Sequence, residues 1–134
     1  MLRLTIAIAL TALSSPALSQ SCDPADESQS GMNICADADY KAEDAKLNRA
    51  YREIVRRLAD SPKDKDLLTI AQRDWIAFRD AECSFATNGS KGGSIHPMLL
   101  SHCLADLTAA RARQLSTYLD CEEGDISCPV PPAR

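Results

Sequence analysis

Six cysteines, at positions 22, 35, 83, 103, 121 and 128, constrain this chain more than any other feature. All of them follow an N-terminal segment with the make-up of an export leader. Arg3 gives a short positive start, Leu4 to Leu13 is an apolar run, and "SPALSQS" closes it with small residues. Ala17 and Ser19 suit a signal-peptidase site, so residues 1–19 read as a signal peptide cleaved near Ser19/Gln20. Export carries the cysteines into an oxidising compartment, where thiols pair. The apolar run is too short to span a bilayer. The "SQS" before Cys22 lacks the aliphatic residue of a lipid-anchor signal. Residues 20–134 therefore read as one exported domain, not inserted in a membrane and ending in a disulfide-closed tail.

Three stretches carry helical periodicity. In "ADADYKAEDAKLNRAYREIVRRLAD", Tyr40, Leu47, Tyr51, Ile54 and Leu58 recur at three- and four-residue steps. A further turn starting around Ser28 would place Gly31, a weak helix former, inside the helix. "DSP" breaks the pattern: Ser61 is a cap for the second helix and Pro62 its first residue. That helix runs to about Ala86, with Leu68, Ala71, Trp75, Phe78 and Phe85 on its expected inner face. "TNGSKGGS" is a loop by its glycines. Ser94 is the expected cap of the third helix, which turns Leu100, Leu104, Leu107, Leu115 and Tyr118 inward. No stretch sustains a period of two. The expected fold is all-α, an antiparallel up-down-up three-helix bundle.

This topology restricts the sulfur pairing. Cys35, Cys83 and Cys103 fall at one end of the bundle, within reach of Cys22 through the N-terminal segment. Cys121 falls at the other. A helix rises about 1.5 Å per residue, so Cys121 lies roughly 25 Å from Cys103, far beyond disulfide reach. It is expected to pair with Cys128 around "CEEGDISC". Three pairings stay open for the other four, of which the local one is Cys22–Cys35 with Cys83–Cys103. None of the six forms C-x-x-C, so thioredoxin-like and zinc-ribbon spacings are absent.

Polar residues interrupt the inner stripes: Asp44 and Asn48 in the first helix, Gln72 and Arg79 in the second, Thr108 and Arg111 in the third. A carboxylate and two guanidiniums facing one interior are costly unless paired and hydrogen-bonded. The expected arrangement pairs Asp44 with Arg111 or Arg79, with Asn48 and Gln72 completing the hydrogen bonds. The competing reading has these groups line a ligand cleft.

The segments "CADADYKAEDAKLNRAY", "AQRDWIAFRDAEC", "GGS" and "LTAARARQL" resemble the LprI-type lysozyme inhibitor family of small exported bacterial helical proteins. The matching positions include Cys35, Tyr40, Asp44, Leu47, Asn48, Tyr51, Ala71, Gln72, Arg73, Trp75, Arg79, Asp80, Cys83, Cys103, Thr108 and Arg111. The resemblance implies a protein that binds and inhibits lysozyme. The alternative is a periplasmic envelope-stress or protein-interaction module without that activity.

Chemistry finds little support in the residues. His96 and His102 are six apart, about 120° from a shared helix face, and make a poor metal pair. Glu122 and Glu123 are adjacent rather than opposed across a bond, as glycosidases require. No nucleophile stands with an oriented base. The expectation is a non-enzyme without metal or cofactor.

Recognition fits better. The net charge of −4 becomes −5 once Arg3 leaves with the leader, which disfavours nucleic acid and suits a basic partner such as a c-type lysozyme. Lysozyme clefts hold carboxylates, so the 87–97 loop is the first candidate contact, through Asn88, Ser90 and Lys91. The acidic "EEGD" loop, with Glu122, Glu123 and Asp125, is the second. Trp75 is assigned to the core and Arg73 to the rim.

Overall fold

The computed structural model describes residues 21–122 and 124–133, and the leader and Glu123 lie outside the described residues. Helix α1 spans Gln29–Arg57, α2 Pro62–Ala86 and α3 His96–Leu119, with a short 3₁₀ turn at Asn88–Ser90. No strand occurs among the described residues. Helices α1 and α3 run the same way, with α2 reversed between them in the chain. Asn33 Nδ2, near the start of α1, donates to the Ser94 carbonyl just before α3 at 3.1 Å. At the far end Arg57 Nη1 donates to the Leu119 carbonyl at 2.9 Å.

Packing is closest between α1 and α3. Ala36 and Ala50 of α1 and Ala105 and Ala112 of α3 are buried, and such small side chains let two helix backbones approach. Leu47, Ile54, Leu58 and Leu115 fill the space around them. Val130 from the C-terminal tail joins this cluster and is almost fully buried. Full burial of aliphatic side chains of this size contributes roughly 1.5–3 kcal/mol each.

All three disulfides are the local ones: Cys22–Cys35, Cys83–Cys103 and Cys121–Cys128, and no described cysteine is free. The first clamps the N-terminal segment along the start of α1. Ser28 caps that helix, accepting from the Gly31 backbone N–H at 3.1 Å. Gly31 is required there, because a Cβ would collide with both the side chain and the carbonyl of Asp26.

Two expectations need correction, and a third holds in position alone. Helix α2 presents Gln72, Arg79 and Cys83 inward, while Phe78 and Phe85 are exposed along with Ala71. At about 100° per residue, this buried side is rotated roughly 90° from the expected apolar face. The cause is the Cys83–Cys103 bond together with the reach of Arg79 and Gln72 to the other helices. Ser94 is not the cap of α3: Ile95 precedes the helix, without a side-chain cap bond, and Ser94 instead offers its carbonyl to Asn33. Ser61 does precede α2 with Pro62 in its first turn, but its hydroxyl makes no capping bond.

Candidate functional site

The interior polar residues come together around Trp75 rather than around Asp44. Trp75 is half-buried and packs against the core cluster. The Arg79 guanidinium lies 5.2 Å from the Trp75 ring centre and 5.6 Å from that of Tyr40, bridging α2 to α1. Arg111 approaches Trp75 from α3 at 5.9 Å. Aromatic faces therefore offset part of what these cations lose on leaving water. Arg79 completes its pairing with Asp80, through Nε at 2.9 Å and Nη2 at 2.8 Å.

Arg111 Nε donates to Gln72 Oε1 at 3.1 Å, and its Nη1 donates to Gln114 Oε1 at 2.6 Å. Burial holds the Arg111 pKa below its ordinary value, with the nearby Tyr118 opposing. It also lines a cleft of about 420 Å³ with Leu58, Leu67, Leu68, Tyr118 and Val130. The expected ion pair from Asp44 to an arginine does not form. Asp44 accepts from Asn48 Nδ2 at 2.7 Å, one turn along its own helix, and stays out of the Trp75 cluster. The near partner wins because an i,i+4 contact orders fewer groups than a bridge between helices.

Directly after the C-terminal end of α2, the 87–95 connection is stiffened from within. Thr87 Oγ1 donates to the Cys83 carbonyl at 2.7 Å, closing α2. Ser90 Oγ donates to the Thr87 carbonyl at 2.8 Å and meets His96 Nδ1 at 2.9 Å. Its hydroxyl is thus committed to the loop itself. Gly92 turns the chain at φ 87°, in the left-handed region that suits glycine. Asn88 and Lys91 are exposed, and neither side chain makes a hydrogen bond or ion pair among the described residues. The disulfide to Cys103 fixes the base of this loop.

The second candidate loop closes through Cys121–Cys128. Asp125 Oδ1 accepts from the Ser127 hydroxyl at 2.7 Å and from its backbone N–H at 2.8 Å. Those bonds, the side-chain one foremost, hold the Asp125 pKa below its ordinary value. Glu122 is exposed. The 24 residues of α3 put the two loops about 36 Å apart, so they cannot enter one cleft together.

Sequence reading missed two features. One is Arg57, which joins α1 to α3 and the tail through bonds to backbone carbonyls that helical periodicity does not signal. The other is the outer face of α2, described below. Among the described residues no group of three His, Cys, Asp or Glu side chains is placed to hold a metal ion. No described helix is long and apolar enough to cross a membrane.

Helices of this order, three local disulfides and a Trp75–Arg79–Arg111 interior define a small disulfide-stapled helical protein. The family model described as "Lysozyme inhibitor LprI" matches residues 21–115, and the chain belongs to that family. It is 40% identical over 107 residues to the uncharacterized protein R02472 of Rhizobium meliloti (strain 1021), covering 72% of this chain and 77% of that one. It is 30% identical over 105 residues to the uncharacterized protein YecT of Escherichia coli (strain K12), covering 69% of this chain and 65% of YecT. No solved structure matches it.

Proposed function

We propose that this protein is exported, loses residues 1–19, and binds and inhibits a lysozyme as a single-domain, non-catalytic partner. The observation that carries this reading is the family match across residues 21–115, which takes in all three helices except the last turn of α3. The charge supports it: the full chain's net −4 becomes −5 without Arg3, and an acidic protein gains electrostatic steering toward a basic muramidase. Of the two loops, 87–95 is the first assigned contact, with Lys91 as the cation and Asn88 as the amide offered to cleft carboxylates. Ser90 serves to hold them in place. The disulfide beneath the loop lowers the ordering cost of docking, since a pre-shaped loop loses less freedom on binding. The loop holding Glu122, Glu123 and Asp125 is the second assignment, for a basic patch elsewhere on the partner.

The test is a turbidity assay of the mature protein against c-type lysozyme, with Lys91→Ala and Glu122→Ala measured separately. Inhibition near a one-to-one ratio supports the reading. Loss of potency at an unchanged melting temperature in one variant assigns the contact to that loop. Wild-type protein that leaves lysis untouched overturns the inhibitor assignment.

A further inference from the structure

Helix α2 carries a second apolar stripe that nothing among the described residues covers. Leu67, Ile70, Phe78 and Phe85 are 57%, 53%, 55% and 79% exposed. With about 100° per residue, Leu67, Phe78 and Phe85 fall within roughly 20° of one line, Ile70 about 60° to its side. The buried side, with Gln72, Arg79 and Cys83, lies about 140° away. Aromatic side chains offer about 150–250 Å² each, so these two rings alone expose on the order of 250 Å². Apolar surface of this size is ordinary on a monomer, so its grouping on one helix face, together with the charges around it, is what singles it out.

The charges around the stripe say what fits it. Asp74 lies in the stripe, and Asp64 and Glu82 border it at about 60°. All three are exposed, and none makes a hydrogen bond or ion pair among the described residues. Two cations stand near them, Lys63 at the very start of the helix and Arg73 on the Ile70 side, so carboxylates outnumber cations along the stripe. A second copy of this chain would bring an equal set of carboxylates against these, and an anionic bilayer would repel them. Phe85 stands in the last turn of α2, three residues before Asn88, so the stripe ends where the loop begins.

We propose that the outer face of α2 is the main docking surface for a basic protein partner, the stripe giving the apolar contact and Asp64, Asp74 and Glu82 its ion pairs. Resting on the inhibitor reading, this assigns lysozyme to α2 first and to the 87–95 loop second. The interface is a helix laid on the partner, with anchors at 67, 70, 78 and 85.

The experiment measures binding of hen-type c-class lysozyme to immobilised full-length mature protein, wild type and variants. Phe78→Ser with Phe85→Ser is expected to weaken binding at least tenfold with an unchanged melting temperature. Asp74→Lys with Glu82→Lys is expected to slow association and flatten its dependence on salt. Binding by the serine variant as tight as wild type, with wild-type inhibition intact, overturns the α2 assignment and leaves the inhibitor reading standing. Wild-type protein that fails to bind overturns both. A wild-type dimer in sedimentation that Phe85→Ser dissolves overturns the choice of partner.

Discussion

Arg57 of α1 donates through Nη1 to the Leu119 carbonyl of α3 at 2.9 Å, while its Nε donates to Glu53 Oε1 at 2.8 Å. The last carbonyls of a helix have no partner within it and carry the negative end of its dipole. A guanidinium from a parallel neighbour answers both needs. The same Nη1 also reaches the Pro131 carbonyl at 3.5 Å, so one side chain joins two helix ends and the tail.

Arg57→Met keeps most of the apolar stem and removes those donors. A hydrogen bond from a charged group contributes roughly 1.5–3 kcal/mol. The expected loss is about 2 kcal/mol, read as a fall in melting temperature of roughly 5–10 °C by circular dichroism. Arg56→Met is the control. That residue is exposed and its side chain pairs with Glu53 alone among the described residues, so little change in melting temperature is expected. Equal losses in the two variants would mean that the link to Leu119 contributes nothing of its own.

Glu53 sets part of the response to acid. Side-chain hydrogen bonds from Arg56, then Arg57, bring its pKa from 4.5 down to about 2, against a smaller opposing effect of desolvation. The folded value lies below the unfolded one, so the contribution is fully present above pH 4.5 and lost as pH falls through about 2. Asp26 and Asp125 are lowered too, by hydrogen bonds from Ser28 and Ser127, and add to the same acid limb. Melting temperature followed from pH 5 to pH 2 is expected to fall less steeply in Glu53→Gln than in wild type. Because the group faces solvent, added salt shrinks the difference. Parallel curves for the two proteins would count against this origin.

The break before α2, the loop after it and the Cys121–Cys128 pairing were legible because each rests on local chemistry. By contrast, the sequence leaves three pairings open for Cys22, Cys35, Cys83 and Cys103, and it points to Ser94 instead of Ile95 as the cap of α3. Ser61-Pro62 and the glycines of "TNGSKGGS" punctuate the chain wherever it packs. The helix rise alone keeps Cys121 from Cys103. The orientation of α2 was not legible, since it carries apolar residues on two sides: Leu68 and Trp75 on one, Leu67, Phe78 and Phe85 on the other. Hydropathy alone does not choose between them. The choice falls to three-dimensional partners, namely the Cys83–Cys103 bond, the Arg79 stack on Tyr40 and the Gln72–Arg111 hydrogen bond. The partner of Asp44 was hidden for a related reason, because Asn48 and the two arginines all lay within plausible reach.

Thr108 is fully buried in α3, and its hydroxyl has no hydrogen-bond partner among the described residues. An unsatisfied buried hydroxyl costs about 1–3 kcal/mol, whereas a methyl of the same shape costs nothing there. Thr108→Val is therefore expected to raise stability by up to about 1 kcal/mol, after some loss to imperfect fit. Urea unfolding measures it through an increased midpoint at constant slope. A fall of 1 kcal/mol or more would show that the hydroxyl is in fact bonded in solution.

The tail offers the sharpest separation of two effects. Cys121–Cys128 closes a loop of eight residues, and two residues later Val130 enters the core beside Ile54, Leu58 and Leu115. Restricting an unfolded loop of that length contributes about 2.5 kcal/mol. Burial of a valine contributes roughly 1.5 kcal/mol by its apolar area, and Val130→Ala forfeits about half to all of that. If the disulfide acts by holding Val130 in place, the two losses overlap. The Cys121→Ser/Cys128→Ser protein would then be almost indifferent to Val130→Ala. Independent action predicts simple addition instead. A double-mutant cycle by denaturant unfolding decides between them: a coupling energy near 1 kcal/mol is expected, because the residues share one short segment. Additivity within about 0.3 kcal/mol would mean that Val130 finds its pocket without the crosslink.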